Sequence, residues 1–117
     1  MVKKEKPTRK AYQIRLSENA LQNIDEITGY IAFINHQPLN AIKVGDAVFN
    51  ALDRIQSNPF AFIECPFIPT KTKIYRQAIC LSWYIVYKVI DTQITILGII
   101  HTSRKPSKIK VLRKVKQ

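Results

Sequence analysis

The chain has 117 residues, enough for one domain with a buried core, and its 46% apolar and 23% charged content is an ordinary globular balance. Its apolar runs fall far short of the ~20 residues that span a bilayer, and the charged start MVKKEKPTRK has no apolar segment behind it, so neither a membrane span nor a secretory signal is expected. The formal net charge of +11 sits at the ends: residues 1–10 hold five bases and one acid, 11–103 seven of each, and 104–117 seven bases and no acid.

That distribution divides the chain into a basic N-terminal arm (1–10), a neutral body (11–103) and a basic C-terminal segment (104–117). Cationic ends suit a polyanion or an acidic protein partner, or serve as solvated tails. Cys65 and Cys80 have no ligand spacing with the two histidines, His36 and His101, so no metal and no cofactor are expected. Two cysteines in a chain without export signals are expected to be reduced and partly buried.

In chain order, YQIRLS (Tyr12 to Ser17) alternates as a short strand. Ser17 then caps a helix with Glu18 in its first turn. Ala20, Ile24, Ile27, Ile31 and Ile34 recur at steps of four and three, one apolar stripe, with Glu18, Asn19, Gln22, Asp25 and Glu26 opposite. Asn35-His36-Gln37-Pro38 ends it, and His36 reads as an exposed turn residue. Asn40 caps a second helix with the stripe Ala41, Val44, Val48, Ala51, Leu52 and Ile55, closed by Ser57-Asn58-Pro59. A short joint makes the two an antiparallel hairpin.

Phe60 to Thr72 reads as an irregular loop pinned by its aromatic residues. Three strands follow: KIYRQAI (Lys73 to Ile79), WYIVYKVI (Trp83 to Ile90) and QITILGII (Gln93 to Ile100), the last two joined at Asp91-Thr92. The order β-α-α-β-β-β predicts an α+β fold of two layers, a helical hairpin on one face of a mainly antiparallel sheet. The other face is left for water or a partner. In the C-terminal segment, Ile109, Val111, Leu112 and Val115 interleave with the bases. A helix this short is marginal alone, so the segment is expected to be loosely docked until a partner orders it.

These pieces, from Tyr12 to Pro106, resemble the RelE/ParE superfamily of toxins from bacterial type II toxin–antitoxin modules. The carriers are SENALQNIDEITGYI, ALDRIQSNP, YRQAI, WYIVYKV and ITILGIIHTSRKP. The resemblance implies a single RelE-like toxin domain over 11–103, located in the cytoplasm and silenced by a cognate acidic antitoxin. RelE-like members cleave mRNA inside the ribosome, and ParE-like members poison DNA gyrase; the expectation is a growth-inhibiting toxin that acts by ribosome-dependent mRNA cleavage, the alternatives being a non-catalytic inhibitor of gyrase and a non-toxic member that only binds its antitoxin. RelE-like nucleases commonly place a tyrosine beyond the last strand, and none follows His101 here. The pattern of histidine, two residues, then arginine is closer to ParE and the plasmid-stabilisation proteins.

A metal-independent endoribonuclease needs a base, an acid and cations around the phosphate. The candidate catalytic residues are therefore His101, Arg76 and Arg104, with Lys71, Lys73, Lys105 and Lys108 as candidate RNA-binding bases. The bland readings are a strand-end histidine that bonds locally and an Arg76 paired with a helix acid or Glu64. Display of Arg76 on the open sheet face is the favoured expectation. Trp83 and Tyr87 fall on one face of their strand and Tyr84 on the other, so all three cannot stack on bases.

Overall fold

Ser17 is where the first strand becomes the first helix, and its fully buried hydroxyl serves both. Its Oγ accepts from Ala20 N at 3.0 Å, capping the helix, and donates to the Leu97 carbonyl at 3.1 Å, fastening that helix start to the last strand. The computed structural model describes residues 11–116, so the N-terminal arm expected over 1–10 lies outside the described residues.

The elements are β1 (Gln13–Leu16), α1 (Glu18–Gly29), a π-turn (Tyr30–Ile34), α2 (Pro38–Ser57), a 3-10 turn (Pro59–Ala61), β2 (Tyr75–Cys80), β3 (Trp83–Ile90), β4 (Gln93–His101), α3 (Pro106–Lys110) and a closing 3-10 turn (Val111–Lys114). The sheet order is β1-β4-β3-β2. Only the β1–β4 pair is parallel; β4–β3 and β3–β2 are antiparallel. The two-layer α+β architecture expected from the element order, RelE-like by the resemblance, is the one observed.

The α1–α2 hairpin covers one face of the sheet. Ala20 and Ile24 from α1, with Val48, Ala51 and Ile55 from α2, meet Ile85, Tyr87, Val89, Ile94 and Ile96 of the central strands. Two details of the hairpin differ from the sequence expectation. Ile34, placed on the buried stripe by spacing, is 63% exposed. The π-turn inserts an extra residue per turn, with Asn35 N donating to Tyr30 O at 3.1 Å, and each inserted residue rotates later side chains by about 100°. The second helix starts at Pro38 with Gln37 as its N-cap, so Asn40 lies inside it and donates to Gln37 Oε1 at 3.2 Å instead of capping. His36 is exposed in the joint at φ 56, a region histidine enters more readily than most residues.

The second face of the sheet is not left open. Cys65 and Ile68 from the 62–74 loop, and Ile109 and Leu112 from the C-terminal segment, pack on Tyr75, Val86 and Leu97. Ile109 is 2% and Leu112 3% exposed. The segment expected to be loosely docked is thus built into the fold. Of the four apolar residues interleaved with the bases, Ile109 and Leu112, three apart on one side of the turn, make the buried contact with Val115 packed beside them, while Val111 is exposed. The loop's main anchors are likewise Cys65 and Ile68; Phe60 is 48% exposed.

Gly98 explains how the C-terminal segment lies so close. A β-carbon there would stand 2.8 Å from Leu112 Cδ2 and 3.1 Å from Asn19 Nδ2. It also follows a bulge. The register passes from Val86↔Gly98 to Tyr87↔Ile96, leaving Leu97 as the extra residue of β4. The bulge lets Ile96 and Ile99 both face the hairpin while Leu97 faces the C-terminal segment.

Tyr87 is fully buried and donates to the Pro59 carbonyl at 2.6 Å. Burial pushes its phenol well above the usual tyrosine range, and burial also raises the thiols of the free cysteines Cys65 and Cys80. All three shifts have the same sign. In the unfolded chain tyrosine loses its proton near pH ~10 while the buried phenol retains it, so the folded state binds more protons and stability falls as pH rises past that point. Urea titrations on either side of pH ~10 should show this decline, at most ~1.4 kcal/mol per pH unit per group, and Tyr87→Phe should flatten it. An unchanged slope in Tyr87→Phe would assign the decline to other groups.

Candidate functional site

β1 is only four residues long, and this shapes the site. Past Leu16↔Ile96 the chain turns into α1, so the last part of β4 has no strand on that side. Side chains of α1 take over. Asn19 Nδ2 donates to the Leu97 carbonyl at 3.0 Å, and Asn23 Oδ1 accepts from Ile99 N at 2.9 Å. Asn19 was expected on the solvent face; it is instead part-buried, completing the strand edge. Beyond these asparagines the helix and strand diverge, and a cavity of about 620 Å³ opens between α1, the π-turn, the end of β4 and α3.

His101, Arg104 and Lys108 line this cavity. His101 ends β4 opposite Trp83, and its ring meets the indole edge-on, centroids 5.6 Å apart at 86°. Ser103 N donates to His101 Nδ1 at 3.1 Å, with Ser103 Oγ 2.8 Å from the same atom. A neutral ring held this way carries its proton on Nε2. Arg104 follows on a turn closed by its own N–H to the His101 carbonyl at 3.0 Å. Lys105 is exposed at the cap of α3 and outside the cavity lining.

The other predicted residues are elsewhere. Arg76 pairs across the sheet with Tyr87, whereas His101 pairs with Trp83, the partner of Cys80. Four residues along the strand and two strands across put their backbones roughly 16 Å apart. The guanidinium of Arg76 is engaged: Nη1 donates to the Phe62 carbonyl at 3.0 Å, Nε to the Lys73 carbonyl at 3.0 Å, and its Cζ lies over the Phe60 ring, 4.9 Å from the centroid. It is therefore not displayed, and among the described residues its side chain pairs with no acid; it stitches the 60–74 loop to β2. The contact to Glu64 is a backbone bridge, and the Glu64 carboxylate accepts instead from Thr70 N at 3.2 Å. Lys71 and Lys73 are exposed on this loop, Lys73 at φ 56, far from the cavity.

Sequence reasoning missed Glu26 and Tyr30, which complete the rim facing Arg104. Asn19, Asn23, Glu26 and Tyr30 follow steps of four, three and four, a second, polar stripe beside the apolar one. That periodicity was legible. Its partner was not, because only the pairing order of the strands brings β4 alongside α1.

Of the aromatics of β3, Trp83 and Tyr87 pack with the helix-side core and Tyr84 with the opposite one. Among the described residues there is no cluster of three or more His, Cys, Asp or Glu able to hold a metal ion, and no helix is long and apolar enough to cross a membrane.

A family model described as "ParE toxin of type II toxin-antitoxin system, parDE" matches residues 14–106. Among solved structures, the chain is similar to the chromosomal ParDE TA system from P. aeruginosa, with a TM-score of 0.61 and 17% identity over 78% of this chain and 96% of that one. At that identity the likeness is one of fold. No curated protein matches the sequence.

Proposed function

The chain belongs to the ParE toxin family of type II toxin–antitoxin systems, and from that premise we propose that it arrests growth in the ParE-like manner, as a non-catalytic protein–protein inhibitor of DNA gyrase, and not by cutting RNA. Membership in this family implies an antitoxin partner. An acidic antitoxin suits the cationic ends, and the cytoplasm is where gyrase would be met.

The observation that carries this reading is the separation of Arg76 from His101 and Arg104, which leaves the candidate catalytic set incomplete. Phosphoryl transfer needs a base, an acid and a phosphate-gripping cation at one spot. Arg76, the cation mounted on the sheet, spends its guanidinium on the Phe62 and Lys73 carbonyls. His101 is held at Nδ1 by the Ser103 N–H at 3.1 Å, with Ser103 Oγ 2.8 Å from the same atom, so one ring nitrogen is committed to its own turn and only Nε2 is left for another partner.

The competing endoribonuclease reading draws on one observation, that His101, Arg104, Lys108 and Tyr30 line a single cavity. Two assays separate them. Purified gyrase should lose supercoiling activity and accumulate cleaved DNA complex when the toxin is added, while mRNA stays intact after induction. His101→Ala should lower inhibition by less than about tenfold, because loss of a general acid or base costs about 10²–10⁴-fold. Transcripts cut in the ribosomal A site, with cutting abolished by His101→Ala, would overturn the proposal.

A further inference from the structure

We infer that the layer covering the second face of the sheet, made of the 62–74 loop and the C-terminal segment, is a docking surface for the phosphate backbone of duplex DNA. The inference rests on the gyrase reading only for where such DNA is met, and its test does not involve gyrase.

The first observation is a separation of charge that the chain order hides. Residues 11–103 balance seven acids against seven bases, yet the fold sorts them. Five of those acids, Glu18, Asp25, Glu26, Asp46 and Asp53, lie on α1 and α2 with only two bases, Lys43 and Arg54, a net −3 for the hairpin layer. The covering layer has the opposite sign. Its loop holds Lys71 and Lys73 against Glu64, and residues 104–116 hold seven bases and no acid, nine bases to one acid and a net +8. The sheet and its two cores stand between the layers as an apolar spacer. The field of the molecule therefore turns the covering layer toward a polyanion and the hairpin away from it.

The second observation is that these cations are held in place. Ile109 and Leu112 anchor the segment, 2% and 3% exposed, and all seven bases around them are exposed. Among the described residues none of those seven side chains makes an ion pair or hydrogen bond within the chain. Their backbone is ordered before any partner arrives, so binding forgoes the entropy that a loose basic tail would lose.

Charge density selects the duplex. From Lys105 to Lys114 the segment rises about 15 Å. Over that length a duplex presents about nine phosphates, and one strand of it half as many. An extended acidic peptide carries at most one charge per residue, about every 3.3 Å, again half the density of the duplex. Single strands are also held by aromatic stacking, and the aromatics of this layer, Phe62 and Phe67, are packed against the cores.

The probe is a labelled duplex of about three helical turns and arbitrary sequence, titrated with the full chain by fluorescence anisotropy between about 50 and 200 mM salt. Log K should fall against log salt with a slope of about −4 or steeper, as neutralising about five phosphates requires. Two double variants of equal net charge locate the surface. Lys110→Ala, Lys114→Ala, on exposed positions outside the cavity lining, should weaken binding at least about tenfold and make the slope shallower by about 2. Lys43→Ala, Arg54→Ala, exposed on the hairpin, should change neither. Equal losses in the two pairs would assign binding to net charge or to the five bases of residues 1–10 and overturn the inference. So would tighter binding of a single strand of the same length, tighter binding of a polyglutamate of the same charge, or no binding at about 50 mM salt. Duplex binding beside uninhibited gyrase fails only the gyrase reading, and gyrase inhibition by a chain that does not bind the duplex fails only this one.

Discussion

Arg76→Ala is expected to lower the stability of the fold by about 2–3 kcal/mol and not to remove a catalytic group. The side chain makes two charge-assisted hydrogen bonds, to the Phe62 and Lys73 carbonyls, and covers the Phe60 ring. Each such bond contributes about 1.5–3 kcal/mol when buried, and less here because Arg76 is only half-buried and one bond is exposed. For a domain of this size, 2–3 kcal/mol corresponds to a Tm lower by roughly 10 °C or more. Arg76→Lys should recover only part, since one ammonium does not span two carbonyls in the fixed fork of a guanidinium. The decisive comparison is Tm against inhibition per folded molecule. A nuclease role predicts lost activity at unchanged Tm; a stitch predicts lowered Tm with inhibition intact in whatever remains folded.

Truncation after Pro106 should be the most damaging single change to stability. It removes Ile109 and Leu112, both nearly fully buried, from the second core. Burial of each aliphatic side chain stabilises by about 1.5–3 kcal/mol, so about 3–6 kcal/mol is at stake, a large share of the ~5–15 kcal/mol that holds a domain folded. The same cut leaves Val86 and Leu97 facing water. Urea denaturation should show a much lower midpoint, or no cooperative transition at all. Leu112→Ala isolates the contact above Gly98 and should reproduce part of the loss. A truncated chain with an unchanged midpoint would return this segment to the status of a tail. The consequence for binding studies is direct: loss of antitoxin affinity on truncation cannot be read as loss of a contact until stability has been measured.

The local features were set by the sequence alone. Ser17 as a cap, the apolar stripes of both helices, the Asp91-Thr92 reversal and the alternation that separates Trp83 and Tyr87 from Tyr84 depend on residues within a few positions of one another. Their periods, 3.6 and 2, are properties of the local backbone. The element order, and with it the two-layer α+β arrangement, followed from them, and the resemblance of the quoted motifs supplied its RelE-like form. Of the candidate residues, His101, Arg104 and Lys108 come together at one cavity because a strand end and the turn after it are contiguous.

What only the tertiary structure decided depends on contacts between distant positions. The pairing β1-β4-β3-β2 lays α1 along the free edge of β4, which makes Asn19 and Asn23 strand partners and brings Glu26 and Tyr30 opposite Arg104. It also carries Arg76 away from His101 to a loop whose carbonyls satisfy it. The segment after Pro106 looked too short and too charged to hold a shape, and as an isolated helix it is. It holds here because the bulge at Leu97 and the missing β-carbon of Gly98 leave a place for Leu112 on the sheet, and burial against a surface made by other strands supplies what a short helix lacks.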